Sequence, residues 1–481
     1  MSSEIELKLE VAPGATEQLM RQPWIERAPR QSQRQLSIYF DTSENQLRKR
    51  GYTLRVRSVG DRYIQTVKSL DNCAGLSERG EWEYQIDGPE PDEERLADTP
   101  LADVEVSSLH PVIRSEVNRT ACRLRPDGAE IELDVDHGTM TAGGRKTPVH
   151  EIEIELLRGS AQSAVDLARL IAGHVPVKLG VMSKAERGFA LADGTLDKVT
   201  KAEQVPIRQG MCVAEGFATI VMACLRHFRL NEPLVIELRT AETLHQARVA
   251  MRRLRSALSL FRTAVGDADF GRIRDELRWF TGELGDARNL DVYLKRDLPA
   301  EERKTLEAKR EHAYGHVVEA MNSHRLRTLM LDLVAWTALG KWRDHASARK
   351  LLEPYVNRRI DRLWHKITAA GDLADMDAEE RHQLRIGIKK IRYAVEFVEP
   401  LHAHQSQRQK KFGKAVEDLQ EALGDLNDLA VARSLGRSDA WPITPEKPSE
   451  EECRLLRESD HALDRLQKIG PYWRGGGKEA R

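Results

Sequence analysis

The chain has 481 residues, 40% of them hydrophobic. Its formal net charge of −1 conceals a division: residues 1–200 carry 26 Lys and Arg against 33 Asp and Glu, and residues 201–481 carry 49 against 43. At roughly 150 residues per domain the length allows about three domains, and an acidic stretch followed by a basic one predicts modules with different partners. Five cysteines without a CxxC pair argue against a disulfide framework or a zinc site, and the charged start argues against a secretory leader. The longest apolar run, FATIVMACL, falls far short of a membrane span. The expected compartment is a reducing cytoplasm, with no membrane partner.

From residue 4 the pattern has a period of two. In EIELKLEV, Glu4, Glu6, Lys8 and Glu10 share one parity, and Ile5, Leu7, Leu9 and Val11 share the other. A strand there has one charged and one apolar face. SIYFDT, YTLRVRSVG, RYIQTVKSL, GEWEYQI, TACRLRP, AEIELDVDHGTM and VHEIEIELL follow as strands between turn residues, which points to a barrel or sandwich. The same parity test pairs Arg55 with Arg57, Thr66 with Lys68, and Glu81 with Glu83. It groups Arg119 with Arg123 and Arg125, Glu130 with Glu132, Asp134 and Asp136, and Glu151 with Glu153 and Glu155. An antiparallel sheet with one solvated face gives such alternation strand by strand. The set differs in being almost wholly ionised, with acidic strands and basic strands grouped. Carboxylates take hard cations through oxygen, and Arg and Lys take phosphate, so this grouping suits a site for both an anion and a divalent metal. SAQSAVDLARLIAGH reads as a helix, and 195–210 as a linker.

With these residues the N-terminal part resembles the CYTH domain, the triphosphate tunnel metalloenzymes. EIELK matches the ExExK signature. Arg55 and Arg57, Lys68, Glu81 and Glu83, Arg119, Asp136, Glu151 and Glu153, and SKAERG with Lys184 and Arg187 follow in order over about 1–200. The resemblance implies an eight-stranded antiparallel β tunnel, charged within, that hydrolyses or cyclises triphosphates with Mg²⁺ or Mn²⁺. It implies that Lys8, Arg55, Arg57, Lys68, Arg119 and Lys184 grip phosphates, that Asp136, Glu151 and Glu153 hold a metal, and that Glu4 and Glu6, with Lys8 beside them, form the catalytic set that orients the attacking water. Arg187 is expected to pin the last helix, and Glu81 and Glu83 to balance the basic cluster. Glu10, Glu130, Glu132 and Glu155 are expected near the mouths or outside the site, and Arg123 and Arg125 on the surface.

After residue 200 the period becomes 3.6. MCVAEGFATIVMACLRHF, LHQARVAMRRLRSALSLF and IRDELRWFTGELG read as helices, with similar segments to about 470, a loop at 435–450 and a loose tail, YWRGGGKEAR. HQARVAMRRLRSALSLF (245–261) and HQLRIGIKKIRYAVEFV (382–398) are copies of one pattern, and LGDARNLDV (284–292) matches LGDLNDLAV (423–431). Each copy sets a basic row beside an apolar stripe: His245, Arg248, Arg252 and Arg255 in one, His382, Arg385, Lys389 and Arg392 in the other. A lone row of this kind is ordinarily a solvated face. Two copies facing each other would line a groove for a polyanion. The pattern HxxRxxxRRxR and its position behind the tunnel resemble the CHAD domain over about 205–475. That resemblance implies two pseudo-symmetric four-helix bundles and binding of inorganic polyphosphate. No carboxylate sits at i+3 or i+4 from His245 or His382, so neither is expected to ligate metal.

The expected architecture is α+β in two domains, a tunnel over 1–200 and an all-α domain over 201–475 with repeats at about 210–340 and 345–475. The expected activity is metal-dependent hydrolysis of inorganic tripolyphosphate to pyrophosphate and phosphate. The alternatives are an adenylate cyclase of class IV type or a thiamine or nucleoside triphosphatase on the same fold, and a non-catalytic polyphosphate adaptor. Nucleic acid is disfavoured as a partner, because no aromatic residues interleave with the basic rows.

Overall fold

A computed structural model describes residues 5–70, 75, 80–371, 373, 375–435 and 449–474. By compactness the chain divides into two units. The first comprises Met1–Glu203, Val221–Arg252 and Asp267–Lys341, and the second Gln204–Ile220, Arg253–Gly266 and Trp342–Arg481. The tunnel strands and most of the first helical repeat thus belong to one unit, whereas the sequence pattern changes period near residue 200.

Among the described residues the first unit contains nine strands in one sheet: β1 (Ile5–Val11), β2 (Arg30–Thr42), β3 (Tyr52–Val59), β4 (Arg62–Ser69), β5 (Glu81–Ile86), β6 (Leu109–Leu124), β7 (Glu130–Ala142), β8 (Arg145–Arg158) and β9 (Val177–Leu179). The order is β5-β4-β3-β2-β6-β7-β8-β1-β9, every pair antiparallel. The strand beyond the expected eight is β9, three residues long and paired to β1. It is too short to show a period of its own. The short helices α1 (Ala15–Met20), α2 (Pro23–Glu26), α3 (Gln46–Lys49) and α4 (Glu93–Leu96) lie in the connections.

The apolar parity faces outward and is covered. Helices α5 (Ala161–His174) and α6 (Lys184–Ala192) complete the tunnel part. Ala185, Phe189 and Leu191 of α6 instead pack at one end of the inner face, with Tyr39, Ile113, Val117, Met140 and Val149, which share the parity of Arg55, Arg119, Asp136 and Glu151. Other elements cover the outward apolar face. Leu47 and Leu96 of the short helices, with Leu101 and Val104, cover Phe40, Leu54, Val56 and Val67. On β1, Leu7 and Leu9 are wholly buried. Each such burial contributes about 1.5–3 kcal/mol, enough to settle which parity turns from water.

The remaining helices are α7 (Val213–Leu238), α8 (Ala241–Val265), α9 (Phe270–Glu283), α10 (Gly285–Tyr293), α11 (Ala300–Asn322), α12 (His324–Leu339), α13 (Leu352–Thr368), α14 (Ala378–Phe397), α15 (Ser406–Leu435) and α16 (Glu450–Ile469). In the first unit α12 packs against α5, α9 and β9. The second unit packs α13, α14, α15 and α16 in succession. Its core includes Phe217, Phe261, Trp342 and Tyr355. No helix among the described residues is long and apolar enough to cross a membrane.

The expected loop falls largely on residues 436–448, outside the described residues. The tail departs from expectation in its first part. Tyr472 and Trp473 are buried, their rings pack on Phe412, and Trp473 donates to Asp361 at 2.8 Å. Two large aromatic rings reach the core even beside a glycine-rich end.

Candidate active site

The charged parity of the sheet encloses a cavity of about 250 Å³. Its walls carry Glu6 and Lys8 from β1, Arg55 and Arg57 from β3, Lys68 from β4, Glu81 and Glu83 from β5, Arg119 from β6, and Lys184 from α6. β4 and β1 are far apart in the strand order, so the sheet curls to bring their side chains to one space.

Strand register decides which charges meet. Arg119 lies opposite Asp136, Asp136 opposite Glu151, and Glu151 opposite Glu10. One step along, Asp134, Glu153 and Lys8 form the next row, followed by Glu132, Glu155 and Glu6. On the other wall Arg55 is paired with Thr66 and Thr66 with Glu83, and Arg55 donates to Thr66 Oγ1 at 3.1 Å. Lys68 contacts Glu81 at 2.9 Å. Arg55 and Arg57 each keep a buried Nε without a partner, pointing to a site built for an anion. Burial first, then Arg55 and Arg119, lowers the Arg57 pKa to about 10.

The acidic side is dense. Asp136, Glu151 and Glu153 each offer an oxygen, all within 4.8 Å of one another. Lys184 Nζ lies 2.8 Å from Asp136 and 3.0 Å from Glu153, and donates also to Glu151. Arg119 donates to Asp136 at 2.8 and 2.6 Å, to Glu153 at 2.5 Å, and to Asp134. Lys8 sits 2.5 Å from Glu153 and 3.0 Å from Glu6. Burial opposes the charge of Lys184, yet Asp136, Glu151 and Glu153 hold its pKa well above the usual lysine range. Burial likewise opposes the charge of Glu153, but Lys184, Lys8 and Arg119 hold it well below the carboxylate range. Three converging carboxylates matched by three cations suit a hard divalent cation, through oxygen, once a side-chain cation yields its place.

Local structure places Lys184 firmly. Ser183 caps α6: its Oγ accepts from Glu186 N–H at 3.2 Å, and Glu186 accepts from Ser183 N–H at 2.7 Å. Gly180 N–H donates to the Lys8 carbonyl at 2.9 Å, and a Cβ at Gly180 would stand 2.9 Å from the Lys8 Cβ. Only glycine lets this segment close on β1.

Lys8, Arg55, Arg57, Lys68, Arg119, Lys184 and Glu6 therefore share one cavity, with Glu153 on its wall. Asp136 and Glu151 are buried in the acidic cluster. Glu4 lies outside the described residues. Glu132 and Glu155, expected near the mouths or outside the site, line the cavity, because their rows follow those of Asp134 and Lys8. Glu10 instead pairs with Arg187 at 3.3 Å and Arg229 at 2.9 Å. Asp134, Tyr39, Thr53 and Thr66 were not among the expected site residues and do line it. Parity with Asp136 was the available signal for Asp134. Burial, opposed by Arg119 and reinforced by Glu153 and Asp136, pushes Asp134 up to about 7.

In the helical repeats the apolar stripes are buried: Ala247, Met251, Leu254, Leu258 and Phe261 in one copy, Leu384, Ile388, Ile391, Val395 and Val398 in the other. Of the basic rows, Arg255 is exposed, while His245, Arg248, Arg252, His382, Arg385, Lys389 and Arg392 are half-buried. Arg288 and Lys295 also act on His245, a contribution from α10 and the residues after it that periodicity within α8 cannot show.

Comparison with known proteins finds two families along the chain. The CYTH domain model matches residues 2–189 and the CHAD domain model residues 219–437. The inorganic triphosphatase of Haemophilus influenzae is 27% identical over 197 residues, 40% of this chain, and the chain spans 55% of that relative's length. The CHAD domain from the plant Ricinus communis is 28% identical, covering 57% of this chain and 96% of its own, with a TM-score of 0.44. Hippeastrum HpAC1, described as an adenylyl cyclase with a dominant triphosphatase activity, is 20% identical, covering 40% of this chain and 97% of its own, with a TM-score of 0.31. A charged tunnel sheet matched by the first family, followed by a helical repeat matched by the second, makes the chain a fusion of a CYTH domain and a CHAD domain.

Proposed function

We propose that the tunnel hydrolyses inorganic tripolyphosphate to pyrophosphate and phosphate with Mg²⁺ or Mn²⁺, and that the helical domain binds inorganic polyphosphate through its two basic rows. The observation that carries the tunnel reading is one cavity with Arg55, Arg57 and Lys68 on one wall and the Asp136, Glu151 and Glu153 cluster beside the other. A triphosphate is strongly anionic, so water attack is repelled until charge is neutralised and the nucleophile positioned. Arg55, Arg57, Lys68 and Arg119 hold the phosphates, Arg through a planar fork. Glu6, with Glu4, orients water toward the terminal phosphorus. Asp136, Glu151 and Glu153 hold the divalent cation, which supplies charge neutralisation when bound. Tyr39 is the one aromatic ring among the described lining residues, so an all-phosphate ligand fits this cavity better than a nucleoside. The Haemophilus influenzae relative is itself an inorganic triphosphatase.

The test measures phosphate release from tripolyphosphate, ATP and thiamine triphosphate with Mg²⁺, Mn²⁺ or chelator, together with cyclic AMP from ATP. Tripolyphosphate is expected to turn over fastest, and chelation to abolish turnover. Cyclic AMP as the main product would replace hydrolysis with cyclisation. Glu6→Gln keeps shape and removes charge, so it is expected to lower turnover by about 10²–10⁴-fold with the fold intact. A parental rate in Glu6→Gln would remove Glu6 from the mechanism.

A further inference from the structure

We propose that Lys184 is an internal counter-ion of the acidic cluster that must leave it when a divalent cation binds, and that the freed ammonium then serves the substrate phosphates. This rests on the reading of the tunnel as a metal-dependent triphosphate site. Three cations touch the cluster, but not equally. Lys8 reaches only Glu153 of the three carboxylates. Arg119 reaches Asp136 and Glu153. Lys184 reaches Asp136, Glu151 and Glu153. Its ammonium therefore sits where the three carboxylates converge, the place a divalent cation would take through oxygens at about 2.0–2.6 Å, and two cations there would repel.

Lys184 is also the cation best able to move. Arg119 is a planar fork held by three acids, whereas a lysine is a point charge on a flexible four-carbon stem. Its backbone stays in place through the Ser183–Glu186 capping box, while its side chain forms part of the cavity wall. An ammonium leaving the carboxylates has the cavity to enter, where the phosphates of the substrate lie. Metal binding and the phosphate grip are thereby coupled through one side chain, and removal of the competing charge should favour the metal.

The experiment uses the full-length chain without phosphate. Free Mn²⁺ is titrated by electron paramagnetic resonance against the parent, Lys184→Met, Lys184→Gln and Glu151→Gln, and melting temperatures are recorded with and without Mn²⁺. Both lysine variants are expected to bind Mn²⁺ more tightly than the parent, by about 5–150-fold, the usual range of coupling between two sites. They should also show a larger Mn²⁺-dependent rise in melting temperature, and a raised KM for tripolyphosphate. A lysine variant that folds only when Mn²⁺ is present supports the proposal, since metal then replaces the missing charge. Unchanged or weaker Mn²⁺ binding in both lysine variants overturns it, and so does failure of both to fold in either condition, because the lysine would then be a fixed structural partner. Glu151→Gln reports separately on the underlying reading. If it binds Mn²⁺ as the parent does, the cluster is not the metal site, whatever Lys184 does.

Discussion

His245 shows how a single side chain reports on its surroundings. Burial first, then Arg288, Arg252 and Lys295, lowers its pKa below the usual histidine value, with Glu242 pulling the other way. The imidazole is therefore neutral near pH 7. A polyphosphate seated on the basic row would bring negative charge to the same place and raise that pKa. By linkage, binding then takes up a proton, so affinity rises as pH falls. Between pH 7.5 and 5.5 affinity is expected to rise by no more than about tenfold, the ceiling for a one-unit rise in pKa on binding. Binding titrations at the two pH values measure it, and His245→Gln should flatten the dependence. A parent whose affinity ignores pH would place the chain away from His245. The folding sign is separate: a base with a lowered folded-state pKa makes stability fall as pH drops through the unfolded-state value.

At the scale of elements, the β9–α6 segment is held from outside the sheet by α7. Arg229 of α7 is 1% exposed, donates to the Leu179 carbonyl at 2.8 Å and to Glu10 at 2.9 Å, and pairs with Glu232. Arg226, one turn earlier, donates to the Val181 carbonyl and contacts Glu186 at 3.2 Å. Glu186 is the capping partner at the start of α6, two residues from Lys184. Arg226→Met is therefore expected to loosen Lys184 without touching the cavity. Misplacement of about 1 Å can cost about 10²-fold in rate, and that is the ceiling expected here. Phosphate release and KM measure the loss, and a rate equal to the parent's would show that the cap alone positions Lys184. Arg229→Met removes one partner of a buried network, a change that costs about 3–5 kcal/mol where nothing compensates. Glu232 keeps Lys178 at 2.7 Å and Glu10 keeps Arg187, so urea denaturation should show a smaller loss.

For the whole molecule, the tunnel and the basic rows predict separable activities. Arg252→Ala with Arg255→Ala, or Lys389→Ala with Arg392→Ala, removes two cations from one row. Polyphosphate affinity should fall, and the slope of its logarithm against that of salt should shrink by about 0.7–0.9 per lost phosphate contact. Tripolyphosphate hydrolysis should be nearly unchanged, since neither pair belongs to the cavity. Titrations at several salt concentrations test both pairs. Equal effects mean that both rows hold the chain. A large effect from one pair alone assigns the site to a single row, and no effect from either makes the rows ordinary surface.

The sequence by itself determined which side chains share a face. Period two separates Glu6 and Lys8 from Leu7 and Leu9 whatever the partners of β1, because successive side chains of a strand point to opposite sides. Likewise the 3.6 period separates the His245 row from Met251 and Leu254. Register is another matter. Nothing local to β6, β7, β8 and β1 says that Arg119, Asp136, Glu151 and Glu10 form one row and Asp134, Glu153 and Lys8 the next, since a slip of two residues would keep every parity and change every neighbour. That is why Asp134, Glu132 and Glu155 could be placed on the charged face but not in the cavity. Only the tertiary structure decided their depth, together with two contacts made across long stretches of chain: Lys184 on the acidic cluster, and Arg226 and Arg229 on the segment that carries it. Such contacts follow from how helices pack into and against the curled sheet, and no periodicity within either partner encodes them.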